Sequence, residues 1–474
     1  MRSSLLGSGP TAWLATLNRW VLLMGLVVGI GACQQPESSV QSYLAGRVVA
    51  DPAFSSPDDH SGVRLLVVDV NGRQLDTLGH ARTDSVGHFR MPISAPERGL
   101  YSLSVWGRRG DKQLAVTEYV VAPGDSGTLQ VDLPLDPEAS FRPESTENRA
   151  LQGYRNAMTM HRRMLARRLQ ADAYRPTALA QNIRLTSSTL WSLSAQYPGT
   201  YAGQFAAVES LSLLERWNDS LVVARAQQIA PTSPYYTDAA RIARRAEARR
   251  HGHRAALALV DSFQARADGP HRRAGVKAVR IQAFLDSAQV DAALSAAQRL
   301  RANHSRSSWA QWARRVGYEA EHLQPGMTAP NLTVQTLAGD TLSLRELRGA
   351  PVVLEYYRPN TDLFTLQHPL RNTLHEATRP DSVTFVSISV EPDSLANRAF
   401  LRSRRLPGRT VVAPDGIEDP IATRYNVVQV PTWFLIDDAG KIVDRYFASD
   451  VPTLRQHLTF LLREDPNPVS PLTP

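Results

Sequence analysis

Disulfide chemistry needs one thiolate to attack and a second thiol to resolve. This chain has a single cysteine, Cys33, so it carries no dithiol couple of its own. Metal chemistry fares no better. The one close histidine pair is His251-Gly252-His253. Two histidines two apart on a helix face different sides, and no third ligand accompanies them, so a surface turn is expected. Asp84 stands without neighbouring acidic residues and reads as a turn cap rather than a calcium ligand. The stretch from Pro351 to Leu370, PVVLEYYRPNTDLFTLQHPL, brings Glu355, Thr361 and His368 near one another in sequence. Their spacing gives no set of nucleophile, base and orienting group. No metal and no cofactor is expected.

That stretch is nevertheless highly organised. Val352-Val353-Leu354 is an apolar, β-branched run that predicts a strand buried on both faces. Arg358-Pro359-Asn360 is a turn signal, and a helix is expected after it. A second apolar strand lies in Val428 to Asp437, VQVPTWFLID, with Pro431 at its start, where a proline does not break a ladder. Val383 to Ser389 predicts another strand, Asp393 to Arg404 a helix, and Thr432 to Ile436 with Lys441 to Tyr446 a hairpin. A mixed sheet flanked by helices follows.

At these residues the chain resembles the TlpA/ResA-type thiol-disulfide oxidoreductases, a redoxin (AhpC/TSA-type) group with a thioredoxin fold. Tyr356-Tyr357 fall on the aromatic pair of that family, and Gln367, Pro369 and Leu370 on its Glu, Pro and Leu. Thr361 and Phe364 then hold the two cysteine positions, and Val430-Pro431-Thr432 matches the cis-proline segment opposite them. The lead-in Pro325 to Pro330, with Gly339 and Leu342 to Gly349, fits the family's opening hairpin. The resemblance implies that Glu355 occupies the place of a buried carboxylate serving the resolving thiol. With no thiol to serve, Glu355 is expected to be a strand-end or surface residue.

Around this domain, 474 residues suggest about three folding units. The net charge of +8 is carried almost wholly by scattered arginines with no nucleic-acid motif, so nucleic-acid binding is not expected. Residues 1–33 read as a signal peptide. Their apolar run, Trp20 to Ile30, is too short to span a bilayer, and it ends in Ile30-Gly31-Ala32-Cys33, which looks like a bacterial lipobox. Cys33 would then be diacylated and anchor the chain. Residues 34–42 form a tether. Its first residue is Gln34 and not an aspartate, which favours the outer over the inner membrane.

Residues 43–135 alternate as short strands and predict a β-sandwich. Thr83-Asp84-Ser85-Val86-Gly87-His88-Phe89 in it resembles the signature of carboxypeptidase-regulatory-like sandwiches. A Pro-rich linker (136–145) leads to an all-α segment (146–323) of seven or eight helices, with Met158, His161, Met164, Leu165 and Leu169 at helical spacing, and likewise Ile183, Leu190 and Leu193. Within it, Arg241 to Arg250 reads as a solvated basic face. The thioredoxin-like α/β domain (324–465) and a Pro-rich tail (466–474) complete the chain.

The expected function is recognition. A membrane-anchored envelope lipoprotein would present a redox-inactive thioredoxin-like groove to an envelope protein or peptide. Backbone pairing is expected near Val430, Pro431 and Thr432, and apolar contact near Tyr357, Phe364 and Trp433. The rival reading is a TlpA-like oxidoreductase whose catalysis is lost or depends on a partner's cysteines.

Overall fold

The computed structural model describes residues 39–50, 59–71, 74–108, 112–133, 141–170, 176–359, 361, 364, 371–372, 374–376, 378, 383–392, 397–398, 400–401, 406, 408–447 and 450–462. The expected leader with Cys33, residues 34–38 of the tether, 136–140 of the linker, Gln367, His368, Pro369, Leu370 and the tail lie outside the described residues.

Seven strands come first: β1 (Val40–Ala50), β2 (Arg64–Asn71), β3 (Gln74–Arg82), β4 (His88–Ala95), β5 (Gly99–Trp106), β6 (Gln113–Val121) and β7 (Ser126–Leu133). They make two sheets, ordered β4-β1-β7 and β3-β2-β5-β6. Strict alternation along β4 and β7 turns Phe89, Met91, Ile93, Leu129, Val131 and Leu133 inward. They share one apolar cluster with Leu44, Leu65 and Leu103 from the neighbouring strands. Asp84 does cap its turn: Oδ1 accepts from the backbone N–H of Val86 at 3.0 Å and of His88 at 2.8 Å. Gly87 in that turn has φ 89°, and a Cβ there would collide with the Val48 carbonyl.

The helical segment contains α1 (Thr146–Gln170), α2 (Pro176–Gln196), α3 (Tyr201–Leu214), α4 (Asp219–Ala226), α5 (Tyr236–Arg266), α6 (Pro270–Asp286), α7 (Val290–Asn303), α8 (Ser308–Ala313) and α9 (Val316–His322). The two short helices at its end leave too little sequence for a period, and they take the number past the seven or eight expected. Of the residues at helical spacing, Met158, His161, Ile183, Leu190 and Leu193 are buried and Met164 is partly buried. Thr200 caps α3, its Oγ1 accepting from the Gly203 N–H at 3.1 Å. Gly252 breaks α5 (φ 82°, ψ 174°) and leaves His251 and His253 exposed.

The basic run on α5 is not a solvated face. Arg241 and Arg244 are buried, Arg241 pairing with Asp450 and Asp238, and Arg244 with Asp286. Arg245 reaches Glu215 and Asp450, and Arg249 reaches Glu215 and Asp219. Most of these partners come from distant parts of the chain, so nothing local announced them.

After the small hairpin β8 (Thr333–Gln335) and β9 (Thr341–Ser343), the last unit contains β10 (Val352–Tyr357), β11 (Thr384–Ser389), β12 (Arg409–Val412), α10 (Pro420–Thr423), β13 (Thr432–Ile436), β14 (Ile442–Phe447) and α11 (Val451–Leu461). Its sheet runs β12-β11-β10-β13-β14. β10 is parallel to β11 and antiparallel to β13, so it is flanked on both edges, and all six of its residues are buried. One face of the sheet carries Leu354, Tyr356 and Phe434 into the domain's own core with Tyr425. On the other, Val353, Phe385, Trp433 and Leu435 join a cluster continuous with α3, α5 and α11. The helical segment and the sheet therefore share a core.

Candidate functional site

Glu355 sits mid-strand on β10, opposite Ser387 of β11 and Trp433 of β13. The Trp433 Nε1–H donates to Glu355 Oε1 at 3.1 Å, and Ser387 Oγ donates to Oε2 at 3.2 Å. Arg371 forms an ion pair with Oε2 and also donates to Ser387 Oγ at 2.7 Å. Glu355 is 2% exposed, contrary to the strand-end or surface position expected for it. The central place of β10 explains the difference, because a residue there has strands on both edges. Burial raises the Glu355 carboxyl above its ordinary pKa, and the Arg371 guanidinium opposes the rise, followed by the Trp433 and Ser387 hydrogen bonds.

Phe364, which the resemblance sets at a cysteine position of the family, is 1% exposed. Its ring stacks on Tyr357 with centroids 4.7 Å apart and planes at 17°, and meets Phe400 at 5.6 Å. The Arg371 guanidinium lies 5.4 Å from the same ring centroid. Thr361, at the other position, is partly exposed, and its hydroxyl donates to the Arg358 carbonyl at 3.2 Å. That bond closes a local turn. Among the described residues, no three His, Cys, Asp or Glu side chains converge to hold a metal ion.

The Val430-Pro431 bond is cis, and Thr432 Oγ1 donates to the Gln429 carbonyl at 2.8 Å. Pro431, Thr432 and Trp433 are buried, and Val430 is partly exposed. The apolar contact patch expected from Tyr357, Phe364 and Trp433 is thus turned inward. Fully burying an aromatic ring is worth about 2–3 kcal/mol, enough to draw Phe364 onto Tyr357 and Phe400 instead of into solvent. Among the described residues of these two segments, Arg358 is exposed and Thr361, Gln429 and Val430 are partly exposed. His368 lies outside the described residues. Arg371 and Ser387 went unnoticed in sequence, where neither stands in a recognisable motif.

Residues 325–445 match the AhpC/TSA family. The thiol-disulfide oxidoreductase ResA of Bacillus anthracis is 29% identical over 127 residues, which are 27% of this chain and 72% of that protein. ResA of Bacillus subtilis (strain 168) is 24% identical over 123 residues, covering 26% of this chain and 67% of that protein. The thioredoxin-like protein YneN of the same strain is 26% identical over 126 residues, or 26% and 71% of the two chains. Among solved structures, the thioredoxin domain of a thiol-disulfide oxidoreductase from Bacteroides vulgatus is 19% identical, over 29% of this chain and 99% of that one, with a TM-score of 0.26. On its family match and its ResA relatives, the C-terminal part of this chain is a thioredoxin-like redoxin domain of the TlpA/ResA type, and it holds no cysteine.

Proposed function

We propose that this chain is a lipid-anchored cell-envelope protein whose thioredoxin-like domain recognises a protein or peptide and performs no thiol chemistry. The observation that carries this reading is the fate of the two cysteine positions. Phe364 is packed beneath Tyr357 and Phe400, and the Thr361 hydroxyl is spent on the Arg358 carbonyl. An alcohol hydrogen-bonded to a carbonyl is no substitute for a thiolate, and a phenyl ring has nothing to resolve with. The binding surface is the rim formed by Arg358, Thr361, Gln429 and Val430, where an extended peptide would pair with the backbone near Val430. A diacylated Cys33 anchors the chain, in the outer membrane by the residue that follows it. The two N-terminal sheets serve as a β-sandwich of carboxypeptidase-regulatory-like kind, and with the helical segment they carry the domain away from the bilayer.

The test has separate readouts. The full chain carrying Cys33→Ser is expected to show no insulin reduction with dithiothreitol and no peroxide consumption above buffer; turnover in either would end the redox-inactive reading. A photo-crosslinker placed at Gln429 in the native envelope should trap one discrete partner, lost on Val430→Arg. A blank there removes the recognition reading. Labelled palmitate should enter the wild-type chain and not the Cys33→Ser form.

A further inference from the structure

A cleft of about 210 Å³ opens between the helical segment and the thioredoxin-like domain. Gln311, Arg314 and Arg315, from α8 and the turn into α9, form one wall. Ile417, Asn426 and Val428 are among the residues of the other. Three features of this cleft point to a ligand.

The first is Asn426, which is 3% exposed. Its Nδ2 donates to the Trp312 carbonyl at 3.3 Å and to Glu319 Oε2 at 2.7 Å, which fixes the amide and leaves Oδ1 with no hydrogen-bond partner. A buried acceptor without a donor is unfavourable. The second is charge. Arg314, exposed at the end of α8, and Arg315, stacked over Tyr318 at 5.0 Å, set two cations against the single carboxylate of Glu418. The third is continuity. Val428 lines the cleft, and Gln429 and Val430 of the rim follow it directly.

We propose that the cleft takes the acidic part of an extended peptide whose adjoining residues lie along Val430. Arg314 and Arg315 pair with a Glu or Asp side chain, and Ile417 and Val428 cover an apolar one. This inference rests on the reading of the rim as a recognition surface and supplies it with a ligand class. The helical segment thereby becomes half of the binding site, a role that no residue of the redoxin domain alone could reveal.

The probe is a short fluorescein-labelled peptide of alternating Glu, Val and Ser, compared with versions carrying Lys or Gln in place of Glu. Anisotropy is read on the full chain. Gln311 and Arg314 are both exposed, so the double variant Gln311→Glu/Arg314→Glu reverses one wall without touching the core. The Glu peptide is expected to bind more tightly than the other two. The double variant should weaken it about tenfold while strengthening the Lys peptide. Equal binding of all three peptides, no binding of the Glu peptide, or indifference to the charge reversal would overturn the proposal. Val430→Arg separates it from the reading it rests on. Loss on Val430→Arg with indifference to charge reversal keeps the rim and removes the cleft. Loss on charge reversal with indifference to Val430→Arg keeps the cleft and removes the rim.

Discussion

Trp433 donates its indole N–H to Glu355 Oε1 at 3.1 Å, across the paired strands β10 and β13. Arg371 and Ser387 hold the other carboxylate oxygen, and all four side chains are buried except for small fractions. A carboxylate gripped in this way is poorly placed to shuttle a proton. Its contacts tie the strands of one sheet to Arg371.

Breaking that grip should be costly. Arg371→Met leaves Glu355 buried and charged without its cation, and losses of this kind run to about 3–5 kcal/mol. The double variant Arg371→Met/Glu355→Gln removes the charge as well and should regain most of the loss. Urea unfolding of both variants checks this. A double variant no more stable than the single one would mean that the ion pair is incidental and that packing of Arg371 on Phe364 matters instead.

Phe364 and Thr361 should respond unequally to truncation. Phe364→Ala opens a cavity beneath Tyr357 and Phe400 and is expected to cost about 3–5 kcal/mol. Thr361→Ala removes one hydroxyl at a partly exposed turn and should stay within about 1 kcal/mol. Comparable small effects at both positions, measured by thermal or urea unfolding, would place Phe364 at the surface and reopen it as a contact residue.

Much of the redoxin sheet was legible because its signals are local. The β-branched run of Val352 to Leu354 and the proline at the head of Thr432 to Ile436 need only a few residues of context. What could not be read is what crosses the chain. Arg371 meets Glu355, and Arg241 meets Asp450, only after the fold has formed. The arginine spacing on α5 is the same whether it faces solvent or carboxylates. Helix α3 hid for another reason: it is buried nearly all round, so its polar Glu209, Ser210 and Ser212 erase the amphipathic stripe that would have marked it as core. Phe364 was misjudged as a contact because a lost cysteine suggests an open groove, while its ring had two aromatic neighbours to fill that space.

The α5 arginines make a latch between the helical segment and the redoxin domain. Arg245 donates to Glu215 Oε1 at 2.8 Å and Oε2 at 2.6 Å, and to Asp450 Oδ1 at 3.1 Å. Both carboxylates are fully buried. Burial alone would raise the Glu215 carboxyl, yet Arg245 and then Arg249 hold it well below the usual carboxylate range. A depressed carboxyl contributes stability above its unfolded pKa of about 4.5 and loses it as pH falls below that value. We expect the two units to unfold together at pH 7 and to separate into two transitions in Arg245→Met or on acidification. A single transition in Arg245→Met by calorimetry would show that the shared apolar core and the remaining Arg241–Asp450 pair suffice to couple them.

Glu209 presents the opposite case. It lies at 0% exposure in α3, and neither carboxylate oxygen has a hydrogen-bond partner. Burial pushes its pKa up to about 7, an effect the neighbouring Tyr154 hydroxyl offsets only in part. Below the unfolded value of 4.5 the group is protonated in both states and costs nothing. Between 4.5 and about 7 the unfolded chain has released the proton while the folded one retains it, so stability falls as pH rises through this window. The full penalty, about 3 kcal/mol for a shift of this size, is reached above pH 7. Glu209→Gln removes it while keeping the shape of the side chain. The variant should therefore match the wild type near pH 4 and exceed it by about 3 kcal/mol at pH 8. Stability curves that stay parallel from pH 4 to pH 8 would mean that Glu209 finds a partner or solvent in the folded protein, and that α3 is less tightly enclosed than its burial indicates.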